Sequence, residues 1–391
     1  MKYRLRDVCT KITSGGTPKS TNSTYYSGHI PWLRTQEINF ADIVQTELHI
    51  TEEGLNNSSA KWIPANSVIV AMYGVTAGKS AINKIPLTTN QACCNLIVDY
   101  SKADFQYVYY QLKLDYEKIA GLANGGAQQN LNVRIISDYE IDLPDLSTQR
   151  AIAKTLSIID DKIVNNTKIN HNLEQIAQAI FESWFVDFEP WSGVQPSDWE
   201  KATLGKFVDI KRGGSPRPIQ EFISDRGFRW LKISDVTALQ TPFVLEIKEH
   251  IKKEGLRKTV FLKAGSLVLS NSATPGIPKI LCVDTCIHDG WLYFPYSLFS
   301  KEYLYLFFKH IRQNLITLGN GSIFTNLKTD ILKNYGLIVP DKQTLQKFDD
   351  IVEPLFKTME KYTRESAYLT DLRDTLLPRL MSGELSTDVR H

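Results

Sequence analysis

The chain has 391 residues, 42% hydrophobic and 23% charged, an ordinary globular balance that leaves room for two or three domains and a core needing no staple. Five cysteines without framework spacing argue for reduced thiols in a cytoplasmic protein and against a disulfide scaffold. No apolar run reaches about 18 residues and the amino terminus has no h-region, which argues against a membrane span or a signal peptide. Net charge is only +2, yet residues 204–340 hold 19 basic against 11 acidic side chains, while residues 1–146 hold 13 against 14. Such a surplus fits a polyanionic partner or simply a soluble basic domain.

In chain order, the first distinctive stretch is "ITSGGTPKS" (Ile12–Ser20), a turn with paired glycines. "IPWLRTQEI" (Ile30–Ile38) reads as extended, and "NSVIVAMY" (Asn66–Tyr73) as a β-branched strand bounded by turn residues. "YGVTAGKSA" (Tyr73–Ala81) follows it, and Cys93–Cys94 read as strand core. Asp104–Ala120 reads as a helix, "NGGAQQNLN" (Asn124–Asn132) as a Gly-rich loop, and "DYEIDLPD" (Asp138–Asp145) as the end of a domain spanning 1–146.

Ser147 is the expected cap of a long helix, 147–188. Ile152, Leu156, Ile159, Ile163, Asn166, Asn170, Leu173, Ala177, Ile180 and Trp184 follow a 4-3-4-3 spacing, a heptad seam. Buried Asn166 and Asn170 would fix register, unless that stretch is open to solvent or a partner.

The chain then repeats itself. "IKRGGSPRP" (Ile210–Pro218) matches the first glycine turn, "FRWLKISDV" (Phe228–Val236) matches "IPWLRTQEI", and "AGSLVLSN" (Ala264–Asn271) matches "ANSVIVAM". "GNGSIFTNL" (Gly319–Leu327) and "NYGLIVPD" (Asn334–Asp341) complete the copy, with a helix expected at Ser300–Ile316. A second domain therefore covers 189–340. A second helix with a tail, 341–391, carries Leu345, Phe348, Val352, Leu355, Met359, Tyr362, Ser366, Leu369, Leu376 and Leu380, with a kink expected at Pro354. The chain order makes the two seams antiparallel if they are to bury each other. The expected fold class is α+β: two β-rich domains on a pair of antiparallel coiled-coil helices, related by an internal pseudo-two-fold repeat.

The glycine turns, the paired "WLR"/"WLK" segments, "LPDLSTQRAIAKTLSIIDDKI" (Leu143–Ile163) and "LRDTLLPRLMSGEL" (Leu372–Leu385) resemble the specificity subunits of type I restriction–modification systems, over essentially the whole chain. The resemblance implies two target recognition domains, each reading half of a split, asymmetric site on double-stranded DNA. It implies paired helices that set the spacing and dock two methyltransferase subunits, to which restriction (motor-nuclease) subunits add. It implies no cofactor and no catalysis by this chain. The specificity component of another multi-subunit restriction enzyme fits the same sequence.

Several residues are candidates for DNA contact. Thr17, Lys19 and Ser20, with Arg217 in the second copy, fit phosphates; an ordinary turn fits equally well. Arg34, Thr35 and Gln36, with Lys232 and Ser234, fit base edges, because Arg and Gln pair in a bidentate way with guanine and adenine; a solvated strand end is the plain alternative. Tyr73, Thr76 and Lys79 are matched to Asn271, Thr274 and Lys279, with both lysines expected on phosphate. Gln128, Gln129 and Asn130, with Thr325 and Asn326, are polar loop tips suited to a groove. A nucleotide loop at Gly74–Ser80 is disfavoured, because Gly74 and Gly78 are one residue too close for G-x-x-x-x-G-K-[ST]. Cys282, Cys286 and His288 lack a second ligand pair for a metal. The chain has no Pro-Pro pair, and hence no Asn/Asp-Pro-Pro-aromatic motif of amino-methyltransferases.

Overall fold

Val68–Ala71 is apolar at every position because both faces of this strand are covered. Val68 and Val70 pack into a core with Tyr107, Val108, Leu112, Ile152 and Leu156, while Ile69 and Ala71 join Leu33, Ile38, Ile43 and Leu87 on the opposite face. The computed structural model describes residues 1–123, 130–319 and 327–386. It is an α+β protein of two compact units, Met1–Asp161 with Leu369–His391, and Lys162–Tyr368.

In the first unit the five-stranded sheet runs Cys9–Ser14, Cys93–Val98, Val68–Ala71, Ser80–Asn83, Asp42–Ile43. Its first three pairings are antiparallel and the last is parallel. A three-stranded sheet, Leu48–Ile50, Tyr26–Leu33, Thr88–Thr89, carries the Trp-Leu segment, with Trp32 opposite Thr88 and Leu33 opposite Thr89 in a parallel pair. The helix expected at 104–120 is two helices, Phe105–Leu114 and Tyr116–Gly121.

The second unit repeats this plan. Its five-stranded sheet runs Lys211–Arg212, Trp291–Tyr293, Leu267–Ser270, Pro278–Leu281, Phe243–Val244. Its Trp-Leu strand, Phe228–Leu231, again pairs in parallel, Trp230 with Cys286 and Leu231 with Ile287. That sheet gains Ile223–Ser224 and Val260–Leu262 at its edges. The helix expected at 300–316 spans Lys301–Gly319.

The long helices span Leu146–Phe185 and Lys342–Met381. Ser147 is not the cap of the first. Asp145 accepts the Thr148 amide at 3.0 Å and its hydroxyl at 2.7 Å, and Asp341 does the same for Thr344, at 3.0 and 2.5 Å. A carboxylate one residue before the helix reaches these amides, whereas Ser147 lies within the first turn and donates to Asp145. The second helix continues through Pro354 without a break.

Within the first unit, Ile152, Ala153 and Leu156 share a core with Leu377 and Leu380, and Arg373 Nη1 lies 2.7 Å from Asp160 Oδ1. Within the second, Ala177 and Phe181 meet Leu345, Phe348 and Val352, while Asn166 Nδ2 donates to Glu365 at 2.8 Å and Asn170 Nδ2 to Thr363 at 3.1 Å. In each unit positions advance on one helix as they recede on the other, so the helices are antiparallel.

Candidate nucleic-acid interface

The first Trp-Leu strand ends in a turn that sequence and packing fix together. Trp32 and Leu33 are buried, and the Trp32 indole donates to the Gly16 carbonyl at 3.0 Å. The chain then leaves the sheet at Arg34 and makes a single 3-10 turn, Thr35–Glu37. Glu37 stabilises the turn by accepting the Arg34 amide at 3.0 Å. Arg34 Nη2 sits 2.6 Å from Glu47 Oε2, and Gln36 is exposed beside the same carboxylate.

The 73–79 loop docks on this turn. The Thr76 hydroxyl donates to the Thr35 carbonyl at 2.9 Å, and Lys79 Nζ donates to Asn39 at 2.7 Å. Tyr73, partly exposed, bridges to Asn130. Arg34, Thr35, Gln36, Tyr73, Lys79 and Asn130 are thus linked through the docked turn and loop. Thr76 belongs to the scaffold: it is 8% exposed with its hydroxyl turned inward. The expectation that it meets DNA fails on the direction of its side chain.

The loop does not cradle a phosphate either. The amides of Ala77, Gly78 and Lys79 donate to Gly74, Ala71 and Thr76, so they are spent on the loop's own carbonyls. Gly74 and Gly78 have φ of +78° and +85°, a backbone that glycine tolerates best.

The glycine pairs have a packing task. A Cβ on Gly15 would stand 2.0 Å from the Thr89 carbonyl oxygen, and one on Gly213 would stand 2.2 Å from that of His288. Beyond them Thr17 bonds Gln91, and Ser215 bonds the equivalent Asp289 at 2.6 Å. Lys19 and Ser20 are exposed on a loop tied to strand Tyr26–Leu33 through Tyr26 and Pro18. Arg217 is exposed and 3.3 Å from Asp289.

The second unit rebuilds the turn. Asp235 accepts the Lys232 amide at 2.9 Å, as Glu37 does for Arg34, and Lys232 Nζ bonds Glu249. Ser234 is exposed in the short helix Ser234–Thr237.

The matching of Lys279 to Lys79 fails on register. Ala71 donates to the Lys79 carbonyl, and Ser270, its equivalent, donates to Ile277. Lys79 therefore corresponds to Ile277, and Lys279 lies within strand Pro278–Leu281, opposite Val268. It is 4% exposed and donates to the carbonyls of Leu239 and Thr241 at 2.9 and 2.5 Å. Burial lowers its pKa to about 8, against the pull of Glu174. As folded, this ammonium is not presented to a phosphate. Asn271 is likewise buried, at 2% exposure, and bonds the Asp289 carbonyl. Thr274 is half-buried in the loop between these strands, where its carbonyl accepts the Ser270 hydroxyl.

Gln128, Gln129, Thr325 and Asn326 lie outside the described residues. Reading the sequence for cations and amides misses Asn39, Glu47, Glu249 and Asp289. The signal for two of them is present, a carboxylate one or two residues before a His-Ile pair in "ELHI" and "KEHI".

The family profile described as "Type I restriction modification DNA specificity domain" matches residues 1–175 and again 196–368. The MjaIX specificity subunit of Methanocaldococcus jannaschii is 25% identical over 98% of this chain and 93% of its own length. The HindI specificity subunit of Haemophilus influenzae is 25% identical over 69% of this chain and 74% of its own. A crystal structure of a type I system S subunit from M. genitalium superposes with a TM-score of 0.64 at 19% identity, over 97% of this chain and 95% of that one; it supports the fold.

Proposed function

Because the chain belongs to the type I restriction–modification DNA specificity family, we propose that it reads a split, asymmetric site on double-stranded DNA, one half-site per recognition domain. The observation that carries this is the duplicated turn. Two separate stretches of sequence build a buried Trp-Leu, a following cation and a carboxylate-capped turn on the same parallel strand pair. Arg34 and Gln36, with Lys232 and Ser234, meet base edges; Lys79, with Lys19, Ser20 and Arg217, meets phosphates. Tyr73, Thr35 and Asn130 flank the first reader.

The chain performs no chemistry in this reading. Two methyltransferase subunits and, beyond them, restriction subunits supply it. No helix among the described residues is long and apolar enough to cross a membrane.

The test is a methylation map. The chain is expressed with its methyltransferase subunits in a host lacking them, and methylated positions are read by sequencing. A two-part motif is expected. Replacing residues 1–146 by another recognition domain should change one half and leave the other. An unsplit motif, or a change in both halves, overturns the proposal.

A further inference from the structure

Both recognition domains restrain the cation that leads the turn. Arg34 is held by Glu47 and Lys232 by Glu249. The cations occupy equivalent positions, directly after the buried Trp-Leu. The carboxylates do not. In the first sheet Ile30 faces Ile50 and Trp32 faces Leu48; in the second Phe228 faces Ile251 and Arg229 faces His250. With Ile50 and Ile251 as counterparts, Glu249 corresponds to Leu48 and Glu47 to Lys248. The same pairing is therefore made from neighbouring, non-equivalent places on the strand.

Fold maintenance is a weak reason for it. Glu47 is 61% exposed, and an ion pair open to solvent on one side adds little stability; Lys232 and Glu249 are half-buried. Each pair also keeps an unused hydrogen-bonding capacity: Arg34 Nε, 3.9 Å from Glu37 Oε1, and Glu249 Oε2 are buried without a hydrogen bond. A free guanidinium or ammonium at a DNA-facing turn would bind any phosphate, because phosphate contact is independent of sequence. A carboxylate beside it cancels that charge and repels phosphate. A base edge offers what phosphate does not: two acceptors in a fixed array on guanine for the cation, or a cytosine amino group for the carboxylate.

Building on the function proposed above, we propose that Glu47 and Glu249 are specificity-determining residues, one per half-site, which withhold the adjacent cation from phosphate and yield it to the matching base edge. Glu47→Gln and Glu249→Gln keep size and hydrogen bonding while removing the charge. Binding is measured on the complex with its methyltransferase subunits, using the mapped site and duplexes scrambled in one half. Glu47→Gln should tighten binding to DNA scrambled in the first half-site by about tenfold, with cognate affinity within about threefold, and steepen the salt slope by about one unit. Glu249→Gln should do the same for the second half-site. Glu47 is well exposed, so its variant tests the inference even if Glu249→Gln misfolds. Equal change on cognate and scrambled DNA, no change included, overturns the inference while the split-site reading stands. A wild-type complex that does not prefer the mapped site removes the basis of both.

Discussion

Lys79 and Lys279 sit in similar words of the sequence and in different places in the fold: the first donates to Asn39, the second is buried. Lys79→Ala should weaken binding to all DNA sequences alike and flatten the salt slope by about one unit, measured by titration at several salt concentrations. Arg34→Ala should cost about 1–3 kcal/mol on the cognate site and relax choice at one base pair, measured against single-base variants. Lys279 bears instead on the pH dependence of stability, because it is buried. Its folded pKa, depressed to about 8 by burial, lies below the unfolded value. Below pH 8 both states hold the proton and the burial cost is in full force. Between there and about 10.4 the unfolded chain holds more protons, so this group's contribution turns more favourable as pH rises. Buried thiols such as Cys93 and Cys94, with pKa values pushed up, act in the opposite sense, so the comparison must be with Lys279→Met. The wild-type-minus-variant unfolding free energy should rise across that window; a flat difference would refute it. The sequence could not separate the two lysines. Gly276 stands where Gly78 does, but the second loop is one residue shorter, and only hydrogen-bond register reveals the slip. The paired carboxylates leave only a faint trace, their closeness to a His-Ile in each copy, because pairing across a turn has no periodic pattern.

At the scale of elements the long helices are the most legible part, because a seam repeated over 40 residues has few rival readings. The heptad pattern is coarse at the ends that enter the domains. Phe181 and Leu377 near such ends, and Phe356 further along where it meets Phe243 and Tyr305, are skipped by the heptad spacing yet buried. At those ends a helix covers both its partner and a domain, so its apolar stripe widens. Phe348 shows what this packing is worth. It is fully buried, with the rings of Phe181, Trp184, Phe185 and Tyr303 at 4.9–6.2 Å. Phe348→Ala should cost about 3–5 kcal/mol by chemical denaturation, since a cavity of aromatic size cannot close. Short strands are less legible. The five-stranded sheets use pieces as brief as Asp42–Ile43 and Phe243–Val244, too short to display alternation.

At the scale of the molecule the repeat announces itself, since a duplicated module preserves order even where identities have drifted. Inserting one heptad after Asn166 and another after Glu365, which face each other, keeps the seam in phase and adds about 10 Å of helix. The gap in the methylated motif should widen by about three base pairs, at 3.4 Å each; an unchanged gap would exclude a rigid spacer. The division of the chain also bears on how it is made. The second unit, Lys162–Tyr368, is one uninterrupted segment, whereas the first borrows Leu377 and Leu380 from the far end of the chain. On the ribosome, the domain translated first is therefore the one completed last. At about 5–20 residues per second it waits many seconds with the Ile152–Leu156 face uncovered. A chain cut after Tyr368 should consequently lose the cooperative melting of its amino-terminal domain and keep that of the domain made later.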